Sequence, residues 1–401
     1  MSNEGRGLIP LETARALILE HLAPLSAETV ALAEADGRVL AADVIATRTQ
    51  PLTATSAMDG YAVRSQDLTD RPARLTLAGE SAAGHPADQP IEAGQAIRIS
   101  TGASIPAGAD QVVIQENASR DRHSVLLDAA PEPGAHVRPA GIDYAEGDVL
   151  LSVGARMSPF AIALAASVGA LKLKVARAPR VAIISTGDEL VEPGEPLSNA
   201  AIVNSNAPGL VRLIAEAGGA PDYLGIARDN EASVRDAFAR AEGADLIITI
   251  GGASVGDHDH VRNVFSSLGG SLVFEKIAVK PGKPTWFGRL DGAHVLGLPG
   301  NPVSAFVVSR LLLITALARL QGDARAGASP LRPAILGGAL PANGPREAYL
   351  CGAFEDDGRV RAFSKQDSAA LSGLARADVL IRRPIDAPAL EDGAAVEIVE
   401  L

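Results

Sequence analysis

The sequence predicts a multidomain α/β plus β protein. Three observations carry this. The 401 residues are enough for two to four domains of ordinary size. Residues 178–325 alternate apolar runs of strand length with helical patterns, which means βαβ units and a mostly parallel sheet. Residues 47–145 and 328–401 instead show short apolar runs cut every few residues by Gly, Pro and Asp, as small β modules do.

Taken in order, Leu11, Arg15, Ile18, Leu19 and Leu22 keep a helical period until Pro24 ends it. A second helix is expected over 27–34, then a turn at Ala35-Asp36-Gly37-Arg38. Short strands are expected at 74–77, 96–99, 111–115 and 124–127. A strand at 148–151 and a helix from Pro159 to Val168, closed by Gly169, resume the earlier character. The first, helical domain is therefore expected in two pieces, 1–46 and 146–177, with 47–145 inserted as a small β domain. In the third domain, 178–327, strands are expected at 180–185, 245–250, 273–279 and 295–298. Asn206 and Asn230 are expected to cap helices, and Ser254 or Asp257 to open another near His260. Pro302 to Leu320 reads as a long helix. Its apolar centre, 305–318, is broken by Arg310 and closed by Arg319, and reads as too short and too charged to span a bilayer. Residues 328–401 read as a small β domain with strands at 360–363 and 396–401.

Composition narrows the function. Hydrophobic residues at 47% and charged residues at 21% can build real cores. A net charge of −12 with only 3% aromatics argues against nucleic-acid binding and base-stacking platforms. The single cysteine, Cys351, excludes an internal disulfide and a cysteine zinc site, and reads as an inert thiol. Glu4, Arg6, Glu12, Arg15 and Glu20 leave no apolar signal core, so a soluble cytoplasmic protein with no membrane partner is expected.

Chemistry gathers between residues 180 and 305. The chain has thirty arginines and six lysines, yet Lys276, Lys280 and Lys283 share one eight-residue window. Compact ammoniums there suit small oxyanions or phosphates. Strand alternation is expected to put Lys276 and Lys280 on one face, roughly 13 Å apart. Three strand exits carry glycines with polar residues: Ser185-Thr186-Gly187-Asp188-Glu189, Gly251 to Asp259, and Pro299-Gly300-Asn301-Pro302. Glycine turns before helices expose N–H groups to an oxyanion, and carboxylates on the same edge suit a hard divalent cation. Together they point to a phosphorylated or nucleotide-bearing ligand held with Mg²⁺. Gly252-Ala253-Ser254-Val255-Gly256 also matches a nucleophile elbow, and Asp291 and His294 downstream keep the required order but read as one short turn between strands. That hydrolase alternative leaves the lysines and acidic loops without a role. Asp257-His258-Asp259-His260 is too contiguous to converge on a transition metal, and Trp286 reads as a core or pocket-wall residue.

A longer series of motifs resembles one family. Ser56-Ala57-Met58-Asp59-Gly60-Tyr61-Ala62, Ser100-Thr101-Gly102-Ala103, Ser185 to Leu190, Asn204-Ser205-Asn206, Gly251 to Asp259, Lys280-Pro281-Gly282-Lys283-Pro284 and Gly297 to Ser304 run in order over nearly the whole chain. The series is similar to the molybdopterin molybdotransferase (molybdenum insertase) family, which includes the C-terminal domain of gephyrin. The resemblance implies an elongated homodimer, a three-layer α/β domain and a β-barrel-like C-terminal domain. It implies Mg²⁺-dependent insertion of molybdate into adenylylated molybdopterin with release of AMP. Molybdoenzyme apoproteins or cofactor-maturation proteins are the further partners it suggests.

By motif match, Lys280, Lys283, Pro284, Ser304, Arg346 and Ser372 are expected at the molybdate site, and Lys276 at a phosphate. Ser185, Thr186, Gly187, Asp188, Asn206, Gly251, Gly252, Ser254, Gly256, Pro299, Gly300, Asn301 and Pro302 are expected to line the substrate. Glu189 and Asp259 are the candidates for Mg²⁺, with Asp229 at the same edge. Asp59, Thr101 and Asp143 are expected to complete the cleft from the partner subunit. Arg138 to Asp143 lacks a further basic residue and a Glu of the family pattern, and Cys351 stands where Arg is common. A non-catalytic cofactor carrier or scaffold is the alternative of another class; the acids at 59, 189 and 259 argue against it.

Overall fold

The computed structural model describes residues 7–70, 72–252 and 260–401. The chain divides into two compact units, residues 43–152 with 163–171, and residues 1–42, 153–162 and 172–401.

The smaller unit is built on a six-stranded sheet in the order Gln111–Ile114, Gly60–Val63, Gln95–Ile99, Ala73–Ser81, Ser124–Leu127, Ala118–Arg120. All pairs are antiparallel except Ala73–Ser81 with Gln95–Ile99. The four strands expected from apolar runs are among them. Alternation buries both faces of Gly60–Val63: Tyr61 and Val63 enter one cluster, while Ala62 enters another with Ile99 and Val112. Gly60 admits no side chain, because a Cβ there would lie 2.1 Å from the Val113 carbonyl oxygen on the neighbouring strand.

In the larger unit, helix Leu11–His21 buries Leu11, Ala14, Arg15 and Ile18, as the period requires. The helix expected over 27–34 does not form. Ala27–Ala31 is a strand, in antiparallel register with Lys172–Ala176, and only Leu32–Glu34 makes a 3₁₀ turn. The segment has no buried stripe to hold a helix, and Thr29 and Val30 favour an extended chain.

The central six-stranded sheet has the order Ala220–Ala227, Arg180–Thr186, Leu246–Ile250, Ala293–Leu298, Trp286–Leu290, Ser271–Phe274. The first three pairings are parallel and the last two antiparallel, so only Trp286–Leu290 runs against the rest. The interior strands are buried on both faces. Val181, Ile183, Ile248 and Leu296 pack under helices Leu11–His21, Asn206–Glu216 and 302–320. Ala182, Ile184, Ile247 and Val295 pack under Glu231–Arg240 and His260–Ser267. Trp286 is fully buried in that second layer. Three layers result.

Pro302–Leu320 is helical throughout, with a π-helical stretch at Ser309–Leu313. Contrary to the length argument above, its 19 residues are long and apolar enough to cross a membrane, but it is mostly buried in the core. The single strand expected at 273–279 is three. Ser271–Phe274 pairs with Trp286–Leu290, Lys276–Ile277 with Leu8–Ile9, and Val279–Lys280 with Glu347–Phe354. Phe274, Ile277 and Val279 are all fully buried, and the three-residue step from 274 to 277 breaks strand alternation. The C-terminal part is a sheet in the order Val279–Lys280, Glu347–Phe354, Val379–Arg383, Ala395–Glu400, Arg332–Ile335, with Val360–Ala362 also on Glu347–Phe354.

Candidate active site

Strands Arg180–Thr186 and Leu246–Ile250 are neighbours in the sheet but not in sequence. From the first the chain moves outward to Ala220–Ala227, then crosses back to the second. The strand order therefore reverses between them, and their carboxyl ends leave the crevice in which open α/β sheets take ligands. A cavity of about 930 Å³ opens there. Its floor is Thr186-Gly187 and Ile250-Gly251-Gly252, with Pro299 to Pro302 beside them. Gly251 has φ +90°, and a Cβ on it would lie 2.7 Å from the Thr186 carbonyl oxygen. Only glycine lets the two strand exits run this close.

Among the described residues, the cavity gathers two carboxylates, Glu189 and Asp229, and two ammoniums, Lys276 and Lys283. The two acidic loops are laced together. The Asp188 N–H donates to Asp229 Oδ2 at 3.2 Å, and the Asp229 N–H donates to Asp188 Oδ1 at 3.1 Å. Asp188 is thereby a brace, and Asp229 the lining acid. Asn206 does not cap its helix. It lies inside helix Asn206–Glu216, and its Nδ2 donates to the Gly300 carbonyl at 2.7 Å, tying two cavity walls. Asn230 does cap, accepting from the Ser233 N–H at 2.9 Å.

Family models match three consecutive stretches. They are the MoeA N-terminal region (domain I and II) over 9–169, a probable molybdopterin binding domain over 182–319, and the MoeA C-terminal region (domain IV) over 333–401. Molybdopterin molybdenumtransferase of Haemophilus influenzae is 41% identical over 319 residues, 79% of this chain and 78% of that protein. The chain belongs to the molybdopterin molybdenumtransferase family. Another molybdopterin molybdenumtransferase, from Nostoc sp., is 34% identical over 387 residues, 93% of this chain and 88% of that one. The solved molybdopterin biosynthesis moeA protein of Pyrococcus horikoshii OT3 matches with a TM-score of 0.82 at 30% identity, covering 98% and 100% of the two chains. Molybdopterin molybdenumtransferases are transferase enzymes of molybdenum cofactor biosynthesis.

Against that family pattern, the structure sorts the expected residues. Thr186, Gly187, Glu189, Asn206, Asp229, Gly251, Gly252, Lys276, Lys283, Pro284 and Pro299 to Pro302 line the one cavity. Ser185 stands behind it, its Oγ donating to Asn204 Oδ1 at 3.2 Å. Lys280 does not share a face with Lys276, because the strand breaks between them; it is exposed on the C-terminal sheet and outside the lining. Ser304 is buried in the first turn of its helix, and Arg346 donates to the Val279 carbonyl at 3.5 Å; neither lines the cavity. Ser372 lines a separate cavity of about 300 Å³ with Lys365 and Arg376. Ser254, Gly256 and Asp259 lie outside the described residues.

Asp59, Thr101 and Asp143 belong to the smaller unit. The Thr101 N–H donates to Asp59 Oδ1 at 2.6 Å. That bond, with the Thr101 side chain and Arg98 adding to it, holds the Asp59 carboxyl below its ordinary pKa. Asp143 is exposed, and its N–H donates to the Gln50 carbonyl at 3.1 Å.

His294, which the hydrolase alternative would need, lies at the amino ends of the parallel strands. His294 pairs in register with Leu246, the first residue of a strand whose far end leads to Ser254. His294 is also stacked on Phe287, with centroids 5.5 Å apart. Cys351 is buried, and that burial pushes its thiol pKa up, away from a nucleophilic thiolate.

Sequence reasoning missed several lining residues: Leu190, Ile202, Val203, Asn204, Ser205, His260 and Ala369. The polar triplet 204–206 before a helix was a visible signal. Ala369 had none; it is brought in by tertiary bonds from Asn301 Nδ2 to Ser368 Oγ and from the Val303 N–H to the Ser368 carbonyl, both 3.0 Å. Among the described residues no three acids, histidines or cysteines converge on a metal position. Two lining carboxylates still fit Mg²⁺, which binds through one or two carboxylates and completes its shell with phosphate oxygens and water.

Proposed function

We propose that this chain transfers molybdenum from molybdate to adenylylated molybdopterin in the cytoplasm, with release of AMP and with Mg²⁺ as cofactor. The reading is carried by one observation: Glu189, Asp229, Lys276 and Lys283 line a single cavity at the sheet's switch point in a member of this family. An adenylyl–pterin phosphoanhydride is polyanionic, and two ammoniums offset its charge. Glu189 and Asp229, with Asp259 by resemblance, would hold Mg²⁺, which neutralises phosphate oxygens when bound. The chain's residues then act by positioning and electrostatics. Lys276 holds a phosphate. Lys283 and Pro284 take the tetrahedral molybdate, with Lys280, Ser304, Arg346 and Ser372 assigned to it by resemblance. A lining carboxylate orients the water that cleaves the anhydride. A homodimer is part of the proposal, with Asp59, Thr101 and Asp143 of a second copy closing the cleft.

The test is AMP release from adenylylated molybdopterin by the purified protein with Mg²⁺, with and without molybdate. Molybdate-dependent release, lost in Glu189→Ala and retained in Ser254→Ala, is expected. Tight binding without AMP would mark a carrier, and neither binding nor release would overturn the reading.

A further inference from the structure

We propose that Tyr223 is a positioning residue, which with Glu192 anchors one wall of the cavity to the central sheet. The wall is a ribbon. Leu190–Val191 and Ile202–Val203 pair in parallel with each other and with no strand of the main sheet. This ribbon and its ends supply Glu189, Leu190, Ile202, Val203 and Asn204 to the cavity lining. A two-stranded ribbon is not stable by itself, so its position depends on what ties it down.

Tyr223 lies on the edge strand Ala220–Ala227 and does not line the cavity. Its hydroxyl donates to Glu192 Oε1 at 2.5 Å and accepts from Asn204 Nδ2 at 2.6 Å. Asn204 Oδ1 in turn accepts from Ser185 Oγ at 3.2 Å. The direction of every proton follows from the carboxylate, which can only accept. Tyr223 must donate to it, so the phenol oxygen receives Asn204, whose carbonyl is left to receive Ser185. One phenol thus joins the turn after Leu190–Val191 at Glu192 and the end of Ile202–Val203 at Asn204, and couples both to two sheet strands. Burial of the phenol, and Glu192 beside it, raise its pKa, so the donor proton stays in place at neutral pH.

The proposal takes only the identity of the ligand from the proposed function. Tyr223→Phe removes the hydroxyl and keeps the ring. In the ligand-free protein, amide hydrogen exchange over 190–204 is expected to quicken about tenfold, while Leu246–Ile250 is unchanged. Titrated with AMP and with adenylylated molybdopterin, the variant is expected to bind about tenfold more weakly, with kcat at saturation within about threefold of wild type. Glu192→Ala is expected to match it and serves if Tyr223→Phe does not fold. Glu192→Gln, whose amide oxygen still accepts, is expected to retain most of the affinity. Unchanged exchange in both Tyr223→Phe and Glu192→Ala would overturn the anchor. Faster exchange with unchanged affinity would overturn the positioning role. A wild type that binds neither probe would overturn the proposed function and leave the anchor to be judged by exchange alone.

Discussion

Gly251→Ala tests the geometry of the cavity floor. Two costs add at this residue. An alanine at φ +90° is strained by roughly 1–2 kcal/mol relative to glycine. Its Cβ, built 2.7 Å from the Thr186 carbonyl oxygen, also forces the two strand exits apart by a few tenths of an ångström, at roughly 1–3 kcal/mol. The total loss is expected at about 2–5 kcal/mol. Trp286, the only tryptophan and fully buried in the α/β layers, reports this directly in a urea titration followed by fluorescence. Because Thr186 and Gly251 both line the cavity, affinity for adenylylated molybdopterin should fall about tenfold or more in a calorimetric titration. Gly269→Ala is the control. It has φ +85° but open space where the Cβ would go, so it carries the backbone strain without the displacement. Its stability should fall by roughly 1–2 kcal/mol with ligand affinity intact. Equal affinities in the two variants would refute the claim that strand convergence at Gly251 shapes the site.

The lysines should separate by role. Lys276→Ala and Lys283→Ala are expected to weaken binding of the adenylylated substrate about tenfold or more, whereas Lys280→Ala, outside the lining, should leave that affinity within about threefold and alter only the molybdate dependence of AMP release. Asp59, held by the Thr101 N–H, should titrate by NMR with a midpoint below the usual 3.8. Its folded pKa is the lower one, so its contribution to stability is present above 3.8 and disappears as pH falls through the depressed value; a midpoint at or above 3.8 would contradict the bond. Gly60→Ala should cost the smaller unit more than about 3 kcal/mol, measured by thermal unfolding, because its Cβ would sit 2.1 Å from a neighbouring strand's carbonyl oxygen.

Much of the α/β core was legible in the sequence. Arg180–Thr186, Leu246–Ile250 and Ala293–Leu298 are continuous apolar runs because both faces are covered, and a buried parallel strand needs no alternation. The glycine and acid loops could be placed because each follows such a run. Ala220–Ala227 was not legible: Pro221 and Asp222 argue against a strand and are tolerated only because it lies at the sheet edge. Trp286–Leu290 was passed over as well, being short and interrupted by Gly288, where a Cβ would meet the Phe265 ring at 2.6 Å. Ala27–Ala31 misled because its strand character depends on Lys172–Ala176, far away in sequence. The lysine window misled in the same manner. Alternation was extended from Lys276 to Lys280 across a segment whose pieces pair with three separate partners. The anchoring of the site's near wall, from Asn204 to Tyr223 behind it, depends on side-chain bonds between elements that no local pattern reports.

The account turns on where the ligand's phosphates lie. A crystal structure of the protein with adenylylated molybdopterin and Mg²⁺ would decide it. The account predicts phosphate density at the strand exits Thr186-Gly187 and Gly251-Gly252, within hydrogen-bond reach of Lys276 and Lys283, with the cation against Glu189 and Asp229. Phosphates bound instead in the smaller cavity beside Ser372, or on the inserted β sheet alone, would contradict it.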